Sequence, residues 1–168
     1  MSGGISSLPL EQAVWAALED VHDPEIPTVS VVDLGVVRRV QVAPGRIRVE
    51  ILPTFVGCPA VDVMRAAVEE RLSGFAADVE ARVTFAEPWT SERITEQGRQ
   101  RLRASGFGPP APSTSEGVDP HLPVLPQATC PYCGSRNTTI ENAFGPTLCR
   151  AIYHCAACRQ PFEQFKTV

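Results

Sequence analysis

The sequence predicts an α+β chain in two parts. A small α-β-β-α-β-α domain over residues 1–105 is joined by a proline-rich linker, 106–127, to a four-cysteine ribbon over 128–168. Three observations carry this prediction. Hydrophobic periodicity alternates between helical and strand spacing over the first hundred residues. Six prolines crowd residues 106–126. Beyond them stand two matched hooks, Cys130-Pro-Tyr-Cys133 and Cys155-Ala-Ala-Cys158.

Residues Ser7 to Val21 form the first predicted helix, with Leu10, Val14, Ala17, Leu18 and Val21 on one face. Glu11 near its start suits the positive end of the helix dipole. Asp23-Pro24 stops it, because a residue before proline is pushed out of the helical region. Val36–Val42 and Arg46–Leu52 follow as strands; in the second, Ile47, Val49 and Ile51 alternate with Arg48 and Glu50. Ala43-Pro44-Gly45 between them reads as a tight turn, making the pair a hairpin. A second helix is expected from Pro59 to about Leu72, buried through Val61, Met64, Val68 and Leu72 and ended by Ser73-Gly74. A third strand spans Asp78–Phe85, and a third helix runs from a Thr90-Ser91 cap to Gly106. Helices over a small mixed sheet make the first domain α+β.

The hooks carry the strongest chemical signal. A Cys-x-x-Cys turn brings two sulfurs to one ion, and a second pair completes a tetrahedral sphere. Gly134 after the first hook suits a knuckle that needs φ > 0. Residues 134–154 between the hooks are slightly longer than the commonest zinc spacing, yet of ribbon size. The expected ligands are therefore Cys130, Cys133, Cys155 and Cys158. Zinc is the expected metal, and an Fe–S cluster is the alternative that four thiolates equally suit. Cys149 stands as an alternative ligand or a structural thiol. His154 adjoins a presumed ligand but is not needed, and His121 in the linker has a weaker claim still.

Composition narrows the function classes. A net charge of −4 disfavours general nucleic-acid binding, and the ribbon sets only Arg136, Arg150, Arg159 and Lys166 against Glu141 and Glu163. No stretch is long and apolar enough to span a bilayer, and Met1-Ser-Gly-Gly lacks the marks of a secretory leader. A cytoplasmic location is expected, where the cysteines stay reduced as metal thiolates.

A second constellation lies at Thr54-Phe-Val-Gly-Cys-Pro59. Pro59 at the first helical position would place Cys58 at the N-cap, its thiol beside unpaired N–H groups that favour the thiolate. The same cysteine also reads as a small side chain packing at a turn. His22, Asp23, Glu25 and Asp33 could ligate a hard metal, or could end a helix and satisfy loop amides.

Asp23-Pro-Glu-Ile-Pro27, Val32-Asp-Leu-Gly-Val36 and Thr54-Phe-Val-Gly-Cys-Pro59 together resemble the SufT-type metal–sulfur cluster assembly domain family. That resemblance implies a reactive, functional Cys58; transient iron or Fe–S at the thiol is then expected, with Asp23, Glu25 and Asp33 as candidate supporting residues. Glu87-Pro-Trp-Thr-Ser-Glu92, Gly98-Arg-Gln-Arg-Leu102, Gly106-Phe-Gly-Pro-Pro110, Phe144-Gly-Pro-Thr-Leu-Cys-Arg150 and Pro161-Phe-Glu-Gln-Phe-Lys166 extend the match. They resemble the accessory-subunit family of the ring 1,2-phenylacetyl-CoA epoxidase of phenylacetate catabolism. This implies the oxygenase and reductase components of that system as partners, with neither nucleic acid nor membrane, and it gives Cys149 added weight. The chain lacks the two Glu-x-x-His motifs of a di-iron bundle and a Gly-rich dinucleotide loop, so it is expected to be neither component and not catalytic by itself. A maturation role and a structural interaction role both follow from the family. The sequence leaves the oligomeric state open, a homodimer included.

Overall fold

The computed structural model describes residues 7–110 and 127–166. The expected element order is present: α1 (Ser7–Leu18), β1 (Val37–Ala43), β2 (Arg46–Ile51), α2 (Ala60–Leu72), β3 (Asp78–Val83) and α3 (Glu96–Ala104). The chain divides into two compact units, one reaching to Trp89 with Arg93–Gly98, the other holding Thr90–Glu92 and everything from Arg99 on.

In the first unit β1-β2-β3 form one sheet, with β1 antiparallel and β3 parallel to β2. Pro44 and Gly45 make the hairpin turn; Gly45 takes φ +71°, a conformation that glycine adopts without strain. Helices α1 and α2 touch each other and pack against β1 and β3 respectively. Val14, Leu18, Met64, Val68 and Leu72 of the helices and Ile47, Val49 and Ile51 of β2 are all buried in the core. Strand alternation sends Arg46, Arg48 and Glu50 to the other face, where they stand opposite Asp78, Glu80 and Arg82 of β3. Every one of these register pairs joins opposite charges. A one-residue slip would bury charge and expose valine, so the two faces fix the register together.

Several boundaries differ from expectation. α1 ends at Leu18, so Val21 is buried from the following turn, and Leu10 is exposed. In α2 the buried stripe is Ala60, Met64, Val68 and Leu72, with Val61 only half-buried. Thr90-Ser91 does not cap α3: Ser91–Arg93 is a separate 3-10 turn. The cap is Thr95, whose Oγ1 accepts the Gly98 N–H at 2.9 Å and so satisfies the third donor of the helix.

The second unit holds a four-stranded sheet, β4 (Phe107–Gly108), β7 (Pro161–Phe165), β6 (Arg150–Cys155) and β5 (Thr138–Asn142), in that spatial order. Phe107–Gly108, which the sequence assigns to the linker, is instead an edge strand parallel to β7. A Cβ on Gly108 would lie 2.0 Å from Gln164 Oε1, so any larger residue would have to displace the Gln164 side chain. Residues 111–126, His121 among them, lie outside the described residues. The ribbon core is Ala128, Cys130, Ala151, Tyr153, Cys155 and Phe162, with the Tyr153 and Phe162 rings stacked at 5.8 Å. So small an apolar core needs a staple.

Candidate metal centre and thiol site

The two hooks fold as copies of one knuckle. In the first, the Cys130 carbonyl accepts the Gly134 N–H at 3.0 Å, and the Cys130 N–H donates to Ser135 O at 2.9 Å. In the second, the Cys155 carbonyl accepts the Arg159 N–H at 2.8 Å, and the Cys155 N–H donates to Gln160 O at 3.0 Å. Gly134 and Arg159, each four residues after the first cysteine of its hook, have φ +73° and +61°. The hairpin β6–β7 presents the second knuckle to the first.

The four sulfurs converge. Cys130 Sγ lies 3.6 Å from Cys158 Sγ, and Cys133 Sγ lies 3.6 Å from Cys155 Sγ. All four lie within 4.8 Å of one another, the single group of three or more candidate ligands among the described residues. A tetrahedral ion with metal–sulfur bonds of ~2.3 Å sets its sulfurs roughly 3.8 Å apart, so these residues fit one ion. N–H groups of Cys158 and Ala157 aimed at its sulfur bring the Cys155 thiol down to about 6. Burial pushes Cys158 up to about 12. Cys133 also rises, because burial and the Cys155 sulfur outweigh the Ser135 N–H that pulls it down. One thiol ionises readily while its neighbours resist, so a cation is what lets all four serve as thiolates.

Cys149 does not belong to this group. It precedes β6 while Cys155 ends it, and six extended residues span roughly 20 Å. Its buried sulfur instead lies 3.2 Å from Thr147 Oγ1. This corrects the expectation of an alternative ligand; strand direction, invisible in cysteine spacing, decides it.

Cys58 sits in the first unit, on the segment leaving β2. Helix α2 starts at Ala60 and Pro59 holds the cap position with helical dihedrals, so Cys58 stands one residue before the N-cap instead of forming it as expected. Its carbonyl nevertheless accepts the Val61 N–H at 3.3 Å, and its N–H donates to Phe55 O at 3.2 Å. The thiol is half-buried and in no disulfide. Because β2 and β3 are parallel and β1 begins beside the end of β2, three segments meet at one end of the sheet: 30–36, 52–59 and 84–89. The carboxyl end of parallel strands is where open α/β sheets present ligand-binding groups. Large exposed apolar side chains, Val56 and Phe85, stand on two of these segments.

Of the carboxylates expected to support Cys58, those of Asp23 and Asp33 accept hydrogen bonds from loop groups, and Glu25 is tied to Asp23 through its N–H. Asp23 Oδ1 accepts the N–H groups of Glu25 at 2.7 Å and Ile26 at 3.0 Å. Asp33 is buried; Oδ2 accepts the Ser30 N–H at 3.1 Å and Oδ1 the Thr95 hydroxyl at 3.3 Å. His22 is exposed, its Nδ1 3.0 Å from Asp20 O. Trp89, Arg93 and Thr95, to which the sequence assigned no structural role, also hold the Asp33 loop. Leu34 O accepts Trp89 Nε1–H, Gly35 O accepts Arg93 Nε–H and Asp33 O accepts the Thr95 N–H, each at 2.9 Å. A buried indole in a loop was the one available signal, since such an N–H needs a partner.

The chain thus joins an α/β sheet domain that bears Cys58 to a ribbon that bears four convergent thiols. Residues 11–84 match the family model of an iron–sulfur cluster assembly protein, and residues 118–166 match that of the PaaD zinc beta ribbon domain. The chain is 38% identical over 163 residues to a putative subunit of the 1,2-phenylacetyl-CoA epoxidase of Escherichia coli K12, covering 95% of this chain and 94% of that protein. It is 32% identical over 98 residues to an Fe-S protein maturation auxiliary factor of Porphyromonas gingivalis, covering 56% and 92% respectively. Among solved structures, a domain of unknown function, DUF59, from Bacillus anthracis aligns with a TM-score of 0.53 at 28% identity, over 56% of this chain and 92% of that one. The chain therefore belongs to the PaaD family of 1,2-phenylacetyl-CoA epoxidase subunits.

Proposed function

We propose that this chain is a maturation subunit of the ring 1,2-phenylacetyl-CoA epoxidase, assisting assembly of an iron or Fe–S centre in the oxygenase or reductase component without itself catalysing epoxidation. The observation that carries the reading is the position of Cys58. It opens the segment into α2 at the carboxyl end of the parallel pair, within the domain matched by the assembly model. Its sulfur is the group offered to iron or a cluster in transit, which is cargo here. The thiol gives up its proton when it ligates the cargo and regains one on release to the client. Asp23 and Asp33, being engaged by N–H and O–H donors, shape the loops beside that site. Glu25 takes part through its N–H, bound by Asp23.

In the ribbon, Cys130, Cys133, Cys155 and Cys158 would hold zinc as a structural crosslink, contributing folding free energy on the order of 10 kcal/mol. Sulfurs within 4.8 Å of one another support a single ion over the wider sulfur spacing of a multi-iron core. A second reading, a structural interaction subunit with no metal transfer, is favoured by the four-thiol ribbon, a small fold suited to a metal staple and matched by the PaaD zinc beta ribbon model.

The test is to produce the oxygenase and reductase components with and without this chain and assay iron and acid-labile sulfide. Under-loaded components in its absence support maturation. Full loading with lost assembly of the complex supports the structural reading.

A further inference from the structure

The segment Phe144–Leu148 between β5 and β6 takes no part in the metal centre. It lies at the end of β6 opposite Cys155, roughly 17 Å away along the strand. Its conformation is closely held. Phe144 N–H donates to Asn142 Oδ1 at 2.9 Å, Gly145 N–H to Arg150 O at 2.9 Å, and Arg150 N–H to Thr147 O at 3.1 Å. Lys166 adds two ties: its N–H donates to Cys149 O and its Nζ to Leu148 O, both at 2.9 Å. Yet this ordered loop exposes its apolar side chains, Phe144 at 70% and Leu148 at 50%.

Lys166, the one lysine of the chain, completes the surface. Its ammonium stands 5.1 Å from the Phe144 ring centroid and bonds the Leu148 backbone carbonyl, so one cation sits on the loop beside the exposed ring. Among the described residues its charge meets a ring and a carbonyl and has no carboxylate partner. Preorganised aromatic anchors lose little conformational entropy on binding and dominate interface energetics.

We propose that the Phe144–Leu148 loop, with Lys166 beside it, is the docking knob by which the ribbon binds a protein client. The partner surface is an apolar pocket with carboxylates on its rim, complementary to two exposed hydrophobic side chains and one cation that meets no carboxylate among the described residues. This rests on the reading above that the chain works on a protein client, and it names the surface that holds that client.

The experiment measures binding of the full-length, metal-loaded chain to the purified oxygenase and reductase components, at low and high salt. Phe144→Ser and Leu148→Ser are expected to weaken the dissociation constant for one component at least tenfold, with ribbon metal content and circular dichroism unchanged. Lys166→Glu should weaken it further, and Lys166→Arg should restore it and its salt dependence. Unchanged affinity in the two serine variants overturns the proposal. So does absence of binding to either component up to about 100 μM, or self-association of the wild-type chain that Phe144→Ser abolishes. Cys58→Ser separates this from the maturation reading: it should dock normally while failing to deliver. A Cys58→Ser chain that docks and delivers normally would remove the maturation reading and leave the docking knob standing.

Discussion

Thr95 and Asp33 are joined twice: the Thr95 N–H donates to Asp33 O at 2.9 Å, and the Thr95 hydroxyl to Asp33 Oδ1 at 3.3 Å. The same hydroxyl oxygen accepts the Gly98 N–H and starts α3. One side chain thus caps a helix and closes the loop that enters β1. Thr95→Val keeps the volume and loses both roles. It should destabilise the first unit by about 2 kcal/mol, from the lost cap and an under-satisfied buried carboxylate. Chemical denaturation against wild type checks this, and a change below about 0.5 kcal/mol would contradict it.

Gly98 lies inside α3, where alanine is ordinarily better by about 1 kcal/mol. Here a Cβ would stand 2.6 Å from Asp33 O, a backbone atom with no freedom to move aside. Gly98→Ala should therefore destabilise, reversing the helix-propensity expectation, as a lowered thermal midpoint would register. Gly35→Ala should be worse, because φ is +63° and the added carbon would lie 2.1 Å from Arg93 O.

Arg159 holds a left-handed conformation that its counterpart Gly134 reaches without strain. Arg159→Gly should stabilise the ribbon by up to about 1 kcal/mol, the strain relieved less the added chain entropy. A rise in resistance to a zinc chelator would show it, and a fall would contradict the knuckle repeat. Cys130→Ser should abolish metal binding whereas Cys149→Ser should leave stoichiometry unchanged. Chelation should remove amide protection from 128–165 while 37–83 stays protected.

Asp78 accepts both Arg48 terminal nitrogens at 3.0 Å and Arg46 Nε at 2.7 Å. The Arg48 hydrogen bond holds its carboxyl below the ordinary range. A lowered folded-state value stabilises above the unfolded pKa of ~4 and loses that contribution as pH falls through the lowered one. Asp78→Asn should lower the midpoint at pH 7 and converge with wild type under acid. A gap that persists at low pH would contradict the assignment.

Periodicity made the element order legible, and paired hooks made the metal ligands legible, because both are local in sequence. The parallel β2–β3 pairing was also written in the chain, as Arg-x-Arg-x-Glu against Asp-x-Glu-x-Arg, but a charge pattern shared by distant strands is seen only once their register is known. The start of α3 was misplaced because Thr90, Ser91 and Thr95 are all competent caps, and the contact with Asp33 selects among them. β4 hid inside a proline-rich stretch because two residues have no periodicity. The roles of Asp23 and Asp33 depend on which amides face them, which composition cannot specify.

The central claim turns on Cys58. The decisive measurement is iron and acid-labile sulfide per oxygenase and reductase component, each produced with wild-type chain, with Cys58→Ser, or with no added chain. Loading with Cys58→Ser that falls to the level without the chain, while the variant keeps its fold and ribbon metal, is the predicted result. Wild-type loading with Cys58→Ser would contradict the account.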